Sequence, residues 1–211
     1  MGPPGAGKGS QAEKIVKEYQ LTNISTGEMF RESYNNQEPI GIEAMKFIEK
    51  GNLVSDEITN EVVRQRLLKK DATRCFLLDG YPRTVTQAVA LDIMLSEMNS
   101  KLSAVINILV DHEIIQERMV GRRVCKSCGT TYHLDFKPPK VEGVCDACGG
   151  SLYQRNDDKL ESVKNRLNIY QSKTMPIVEY YRGRGILHEV NGMQSFDAVY
   201  KDIQKILGEP I

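Results

Sequence analysis

The sequence lacks an excess of charge of either sign: its 28 basic residues are balanced by 28 acidic residues, so the formal net charge is zero. A protein dedicated to binding a polyanion normally carries an overall basic excess, so this balance argues against a nucleic-acid partner. A local basic cleft for a small anion is still compatible with zero net charge. The composition therefore excludes a broad polyanion-binding surface but not an anion-binding site.

Long apolar segments are also missing. No apolar run approaches the length of a membrane span, and no signal-peptide region opens the sequence. These absences predict a cytoplasmic protein with no membrane partner. Hydrophobic residues make up 40% and charged residues 27% of the sequence, which is typical of a globular rather than a disordered protein.

The length of 211 residues predicts one compact domain, or one domain that carries insertions. A chain of this size buries about 70% of its unfolded surface, so it needs no disulfide framework for stability. Repeats and low-complexity tracts are absent from the sequence.

Cysteine is scarce, and four of the five cysteines form two CxxC pairs. The pairs are Cys125/Cys128 and Cys145/Cys148, with sixteen residues between them. In a sequence without an export signal this spacing predicts a tetrahedral thiolate zinc site; four buried free cysteines, or disulfides, are the alternatives. Four thiolates close the coordination sphere, so the zinc is expected to be structural. Cys75 opens an apolar run and is interpreted as a small core residue.

Hydrophobic periodicity predicts alternating helices and strands. Helices are predicted at 11–19, 26–35, 41–49, 56–69, around 91–98 and at 196–206, and strands at 21–25, 76–78 and 104–110. This alternation is typical of a doubly wound α/β fold with a parallel sheet. The stretch 121–158, rich in glycine, proline and cysteine, breaks the alternation and is predicted to be an inserted small β-ribbon held by the metal.

The first residues carry the strongest phosphate-binding signal. Gly2–Lys8 satisfies the P-loop pattern G-x4-G-K, in which backbone N–H groups and a helix N-terminus surround a phosphate. Lys8 would reach the β/γ oxygens of a bound nucleotide. Gly9 stands where the pattern has a hydroxyl residue, and Ser10 follows it. For this motif alone, a flexible glycine- and proline-rich start is the alternative interpretation.

Further motifs resemble those of the adenylate kinase family. Gly2–Ser10 resembles the family's variant P-loop, in which glycine follows the lysine, and Ile24–Arg31 resembles its nucleoside-monophosphate segment. Phe76–Thr84, FLLDGYPRT, resembles a highly specific family signature. Arg118–Arg123 and Arg155–Asp158 match the two edges of the family's lid, and the four cysteines match the zinc-bearing lid of many bacterial members.

This resemblance implies a P-loop nucleoside-monophosphate-kinase fold of the α/β class. A parallel sheet would have helices on both faces, with an inserted AMP-binding arm and a small zinc-ribbon lid. The implied core comprises residues 1–24, 55–120 and 159–211, the AMP-binding arm residues 25–54, and the lid residues 121–158. The implied activity is reversible phosphoryl transfer from ATP to AMP, giving two ADP. Zinc would be structural, Mg²⁺ would accompany ATP, and the chain would act as a monomer.

The resemblance also assigns roles to individual residues. The implied catalytic residues are Lys8, Arg83, Arg122, Arg155 and Arg166. The implied ATP-binding residues are Gly5, Ala6, Gly7, Lys8, Gly9, Ser10, Arg118, Arg122, Thr131, Tyr132 and Gln194. The implied AMP-binding residues are Thr26, Arg31, Asn52, Leu53, Val54, Gly80, Tyr81, Pro82, Arg83, Gln87, Arg155 and Arg166. Asp79 would bind Mg²⁺ through water, and Asp157 and Asp158 would orient lid arginines.

Some of these assignments have rival interpretations. Gln87 either contacts AMP or closes a capping box, Thr84-x-x-Gln87, at the start of a helix. Among enzymes, a kinase for another nucleoside monophosphate, or one that uses GTP, is the nearest alternative. The non-enzyme alternatives are a nucleic-acid-binding zinc-ribbon protein and an inactive, truncated nucleotide-binding protein.

The start of the sequence conflicts with the P-loop assignment. A P-loop joins a buried parallel strand to a helix, but only Met1 precedes Gly2. A missing strand would leave two neighbouring strands with unpaired backbone groups, each costing about 1–3 kcal/mol if buried. We therefore expect a chain shortened relative to its functional form, which an added strand-forming segment would stabilise.

Overall fold

The computed structural model describes residues 1–209; Pro210 and Ile211, assigned to the core from the sequence, lie outside the described residues. The helices are α1 (Lys8–Tyr19), α2 (Thr26–Asn35), α3 (Pro39–Ile48), α4 (Asp56–Leu67), α5 (Val85–Glu97), α6 (His112–Val120), α7 (Leu160–Ile169), α8 (Met175–Arg182) and α9 (Phe196–Leu207). The strands are β1 (Thr22–Ser25), β2 (Phe76–Asp79), β3 (Val105–Leu109), β4 (Arg122–Cys125), β5 (Thr131–His133), β6 (Leu152–Tyr153) and β7 (Leu187–Asn191). Single helical turns are formed by Lys70–Ala72, Asn156–Asp158 and Tyr170–Thr174.

Hydroxyl side chains cap the N-termini of three helices. The Oγ atoms of Ser55 and Ser195 accept hydrogen bonds from N–H groups in the first turns of α4 and α9. Thr84 caps α5 in the same way. Each cap satisfies a backbone donor that has no partner within its helix. The caps fix the direction in which α4 and α5 leave the loops that border the site.

The strands of the α/β core are parallel, as the sequence predicted. β1 pairs with β2, placing Ser25 opposite Asp79, and β3 pairs with β7, placing Leu109 opposite Asn191. Because parallel strands end at the same edge of their sheet, the loops that follow them meet there. This edge carries the candidate functional residues.

The described strands of the core form two separate two-stranded sheets rather than one continuous sheet. One edge of β3 faces β7. There the N–H of Val105 donates to the carbonyl of Ile186, which directly precedes β7, at 2.8 Å. On its other edge, the N–H of Ile108 donates to the Met1 carbonyl at 3.0 Å, and the Met1 amine donates to the Ile106 carbonyl. Met1 thus pairs with β3 in the manner of a strand residue, directly before the P-loop.

The hydrophobic cores of the two sheets nevertheless meet. Leu77 of β2 packs against the cluster that contains Ile108 and Val190 of the other sheet. All four β2 residues, Leu77 included, are only partly buried. A strand of a parallel sheet covered on both faces is normally fully buried, so β2 lacks a neighbour along its free edge.

A small antiparallel sheet, ordered β5-β4-β6, lies within the stretch predicted as the lid. Its buried apolar cluster consists of Cys125, Tyr132 and Cys145, with Leu152 packed against it. A core this small gives little stability without a further cross-link. No helix within residues 1–209 is both long and apolar enough to cross a membrane.

Filling the gap between the sheets should stabilise the protein. Five Val, Ile or Leu residues inserted between Met1 and Gly2 would extend the pairing that Met1 makes with β3. The insertion would also replace the buried amine of Met1, whose pKa burial lowers to about 5, by a neutral peptide group. We expect the melting temperature to rise, at roughly 2–4 °C for each kcal/mol gained.

Differential scanning calorimetry of three proteins would test this expectation. The matched control carries five Gly and Ser residues at the same place, because these add length without β propensity or apolar surface. Equal melting temperatures for the apolar insertion, the control and the original chain would contradict it.

Candidate active site

The P-loop wraps tightly around its own lysine. Gly5 and Gly7 adopt positive φ angles of 77° and 86°, a conformation that disfavours any residue with a side chain. Gly5 also has no room for a Cβ, which would lie 2.9 Å from the Cγ atom of Met119. The helix α1 begins at Lys8, whose Nζ donates to the carbonyls of Gly2 and Pro3 at 2.8 and 2.7 Å. The loop therefore has the turn and the helix N-terminus that a phosphate requires.

Lys8 lies where several charged groups converge. Burial lowers the pKa of Lys8 to about 7; Asp79 opposes this shift, whereas Arg83, Arg166 and Arg122 add to it. These arginines come from distant parts of the chain. The fold therefore concentrates positive charge around the amine of the P-loop.

A cleft opens beside the P-loop, and ten of the twelve AMP-binding residues implied by the sequence line it. They are Thr26, Arg31, Asn52, Leu53, Val54, Gly80, Arg83, Gln87, Arg155 and Arg166. Of the other two, Tyr81 is buried, with its hydroxyl donating to Asn60 Oδ1 at 2.7 Å, and Pro82 follows a cis peptide bond.

The cleft wall also contains residues that sequence reasoning missed as contacts: Gly27, Phe30, Ile48, Gly51, Thr59 and Asp157. Gly51 directly precedes the turn Asn52–Val54 that the resemblance places at the AMP site. Extending that turn by one residue would have included Gly51. Three of the missed residues lie on helices: Phe30, Ile48 and Thr59. Hydrophobic periodicity predicts which face of a helix is buried, but not which part of the protein packs against that face.

Short hydrogen bonds hold the cleft wall around Arg83. The Arg83 Nε donates to the Gly80 carbonyl at 2.7 Å, and the Thr26 hydroxyl donates to the same carbonyl at 3.0 Å. Gln87 accepts from the Arg83 N–H at 2.7 Å and donates to Asp56 at 2.8 Å. The loop that carries Arg83 is thereby tied to α2, α4 and α5.

Gln87 forms half of the capping box considered for it, and it also lies at the cleft. Its N–H donates to Thr84 Oγ1 at 3.1 Å, which is half of a capping box. Its side chain accepts from the Arg83 N–H rather than from the Thr84 N–H, so the reciprocal half is displaced by one residue. Gln87 also lines the cleft, where one amide N–H and one carbonyl lone pair have no hydrogen bond among the described residues.

Two aspartates neutralise the arginines at the base of the lid. Arg122 forms a bidentate pair with Asp158, and Arg155 forms one with Asp157. Arg166 bridges both carboxylates, at 2.7 Å from Asp157 and 3.4 Å from Asp158. Burial alone would raise the pKa of Asp157, but Arg155 and Arg166 hold it well below its usual range. Burial lowers the pKa of Arg166 to about 9, against the opposing effect of Asp157.

Arg31 lines the cleft, whereas Asp79 lies beside the P-loop. The Arg31 guanidinium lies over Gly27, where a Cβ would come within 3.2 Å of it. Burial lowers the pKa of Arg31 to about 10, and the nearby Arg155 adds to this effect. Asp79 ends β2 beside the P-loop, where a Cβ on Gly9 would lie 3.7 Å from its Oδ2. A carboxylate at this place is a suitable oxygen ligand for Mg²⁺.

The other implied ATP contacts fall into two groups. Arg118 on α6 donates to the Gly192 carbonyl at 3.3 Å, beside Gln194, whose amide donates to the Asn191 carbonyl at 3.1 Å. The fold thus brings Arg118 and Gln194 together at the end of β7. Thr131 and Tyr132 lie on β5, and the Tyr132 hydroxyl points towards the cysteine cluster rather than to solvent.

The four cysteines of the two CxxC pairs form one compact cluster. Their Sγ atoms all lie within 4.8 Å of one another, with Cys125 to Cys148 at 3.5 Å and Cys128 to Cys145 at 3.6 Å. A tetrahedral ion with metal–sulfur bonds of about 2.3 Å places its sulfurs about 3.8 Å apart, so the cluster fits zinc. The cluster is compatible with zinc and leaves no ligand position open for a substrate.

The thiol pKa values show why this cluster suits a cation. The Gly150 N–H lowers the pKa of Cys148, but the sulfurs of Cys128 and Cys125 outweigh it and raise that pKa to about 12. The Tyr132 hydroxyl, 3.4 Å from the Cys145 sulfur, leads the effects that lower the pKa of Cys145 to about 6. Four adjacent thiolates repel one another, and a bound divalent cation removes that repulsion.

Removing the metal should destabilise the small antiparallel sheet. A Cys145→Ser variant is expected to lose the bound zinc and to melt several degrees lower, because the sheet has almost no apolar core of its own. Cys75→Ser is the matched control, since Cys75 lies outside the cluster. Elemental analysis and thermal melting would measure both effects; equal zinc content in the two variants would contradict the assignment.

Comparison with known proteins agrees with this geometry. The sequence profile of the family described as adenylate kinase matches residues 1–186. Adenylate kinases of Carboxydothermus hydrogenoformans and Enterococcus faecalis are 55% and 51% identical to the chain, over 98% and 99% of its length and 97% of theirs. The adenylate kinase of Bacillus subtilis is 50% identical, over 99% of the chain and 96% of its own length. On these motifs, this cleft and these relatives, the chain belongs to the adenylate kinase family.

Proposed function

We propose that the protein transfers the γ-phosphoryl group of ATP reversibly to AMP, giving two ADP. One observation carries this proposal: Arg83 and Arg166, which line the cleft, lie close enough to Lys8 of the P-loop to lower the pKa of its amine. Donor phosphates at the P-loop and an acceptor phosphate in the cleft would therefore meet. Phosphoryl transfer depends mainly on such positioning and on neutralising crowded oxygens.

The P-loop residues 5–10 would hold the donor phosphates through backbone N–H groups. Arg31 and Arg83 would grip the AMP phosphate, with Arg166 beside it. A guanidinium suits this task because it stays charged and binds two phosphate oxygens at once. Mg²⁺, held by Asp79 through water, would help to neutralise the donor phosphates.

Arg122 and Arg155 would close over the transferring group from the lid. In the structure both are paired with carboxylates, so nucleotide binding must exchange carboxylate oxygens for phosphate oxygens. This exchange lets the arginines remain neutralised before and after binding. The residues 121–158 and 25–54 are the lid and arm that would close and exclude water, which is the competing acceptor.

The base of AMP would lie against the turn Asn52–Val54 and Gln87. Gln87 retains one N–H and one lone pair on its side-chain amide, which matches the paired acceptor and donor on the edge of adenine. On the donor side, Arg118 and Gln194 would flank the adenine of ATP, with Thr131 and Tyr132 on the lid. We expect the protein to be a monomer that acts in the cytoplasm, with zinc as the metal of its lid.

A coupled assay of ADP formation would test this function directly. ATP with AMP should give ADP, and replacing AMP by UMP or CMP, or ATP by GTP, should reduce the rate strongly. Efficient use of UMP, CMP or GTP would favour a kinase of different specificity. No turnover with any pair would favour a non-catalytic nucleotide-binding protein.

Arg83→Ala should lower turnover by roughly a thousandfold or more, on the scale of arginine contributions to phosphoryl transfer. The fold should survive, because Arg83 lies in a loop. Arg64→Ala is the matched control: Arg64 is half-exposed and pairs only with Glu61 at 2.9 Å. Steady-state rates should separate the two variants; a folded Arg83→Ala protein with normal turnover would contradict the assignment.

Nucleotide binding should take up a proton at Lys8. In the empty protein the pKa of Lys8 is lowered to about 7, so its amine is mostly neutral at pH 8. Donor phosphates favour the charged amine and raise this pKa, so the proton is gained on binding at pH 8 but is already present at pH 6.

Calorimetric titration with a non-hydrolysable ATP analogue, in buffers of different ionisation enthalpy, would measure this uptake. At pH 8 the observed heat should vary with the buffer, and in a Lys8→Met variant that variation should be lost. Identical heats in all buffers at pH 8 would exclude the protonation step.

A further inference from the structure

Side chains of α7 hold the turn that follows α3. The Ser162 hydroxyl donates to the Glu49 carbonyl at 2.9 Å. The Asn165 amide donates to the Lys50 carbonyl and to Asn52 Oδ1, both at 2.8 Å. Residues three apart share a face of a helix, so one face of α7 supplies all three bonds.

The backbone of the same turn touches α7 directly. Gly51 is buried and has a φ of +76°, and a Cβ on it would lie 2.5 Å from the Ser162 carbonyl. The same Cβ would lie 2.9 Å from Cγ of Arg166, so the turn also contacts the stem of that arginine. No other residue fits at position 51 without moving α7 away.

These bonds satisfy carbonyls that α3 leaves open. Glu49 is the C-cap of α3, and carbonyls at a helix end have no partner within the helix. A glycine cap or water normally supplies the hydrogen-bond donors for such carbonyls. Here the donors come from a helix more than a hundred residues later in the chain. Removing these donors would free the turn without opening the core, since Ser162 and Asn165 are only partly buried.

The turn and Arg166 lie at two different ends of the candidate AMP site. The turn contributes Asn52, Leu53 and Val54 to the cleft wall, on the side proposed for the base. Arg166, on the face of α7 that carries Ser162, is proposed for the phosphate. One helix thus sets the spacing between the two ends.

We propose that Ser162 and Asn165 are positioning residues for the acceptor nucleotide. By fixing the turn at 50–54 relative to Arg166, they set the distance between the base site and the phosphate site to the length of a nucleoside monophosphate. This inference rests on the proposed function, and it adds two residues that touch neither substrate.

The test is the double variant Ser162→Ala/Asn165→Ala. Loss of three hydrogen bonds should raise the KM for AMP by about tenfold, because binding must then order the turn. The KM for ATP and the kcat at saturating AMP should change less than about twofold, because neither the P-loop nor the arginines have moved. Ser162→Thr, which keeps the hydroxyl, should behave like the original protein.

Asn168→Ala is the matched control, because Asn168 lies on the same helix but is exposed, and its side chain makes no hydrogen bond within residues 1–209. Hydrogen exchange measured by mass spectrometry gives a readout that does not depend on activity. Peptides covering 50–54 should exchange faster in the double variant than in the control, without nucleotide present.

The outcomes separate this inference from the proposed function. A rise in the KM for AMP alone, with faster exchange at 50–54, supports it. An unchanged KM for AMP, or equal rises in both KM values with a lower melting temperature, would overturn it. If the original protein forms no ADP, the proposed function fails; AMP affinity by calorimetry and the exchange data then decide the positioning role.

Discussion

The concentration of buried positive charge around the P-loop is the constraint on which the rest of the site depends. Lys8 and Arg166 have pKa values lowered to about 7 and about 9 because each is buried among other cations. Asp157 and Asp158 offset this repulsion and are themselves almost fully buried, with 6% and 0% of their surface exposed. Breaking such a network by removing one partner leaves an uncompensated charge. Asp157 and Asp158 thus neutralise the arginines that are proposed to bind phosphate.

The parallel pairing of β1 with β2 brings residues of the site to the same edge of the sheet. β1 and β2 end at Ser25 and Asp79; α2 begins with Thr26 directly after β1, and the loop after β2 carries Arg83. The β1–β2 pair has one register, so the residues that directly follow these two strands have fixed positions relative to one another. Carboxylates and amides then lock the loops, as Gln87 does between Arg83 and Asp56. The gap between the two sheets lies directly beside this machinery, where Met1 is partly buried and hydrogen-bonds to β3.

The stretches predicted as the lid and the arm each contain only a small apolar cluster, and each is stabilised in a different way. The stretch predicted as the lid has almost no apolar core, and its four cysteines form a cluster compatible with zinc, whose metal–thiolate bonds would replace packing. The arm has a small core built on Phe30, Ala44 and Val54, and it borrows hydrogen-bond donors from α7. Neither part therefore relies on its own apolar packing alone.

The sequence by itself determined the P-loop, the zinc-type cysteine spacing and the α/β class, because these depend on short motifs and local periodicity. The ten predicted residues that line the cleft came from the resemblance to the adenylate kinase family. It placed the start and end of α2 at Thr26 and Asn35, as observed. Only the tertiary structure decided the split of the sheet, the pairing of Arg166 with Asp157 and the contact of Asn165 with the turn at 50–54. These features join residues far apart in the chain, and local pattern carries no information on which distant groups burial will bring together.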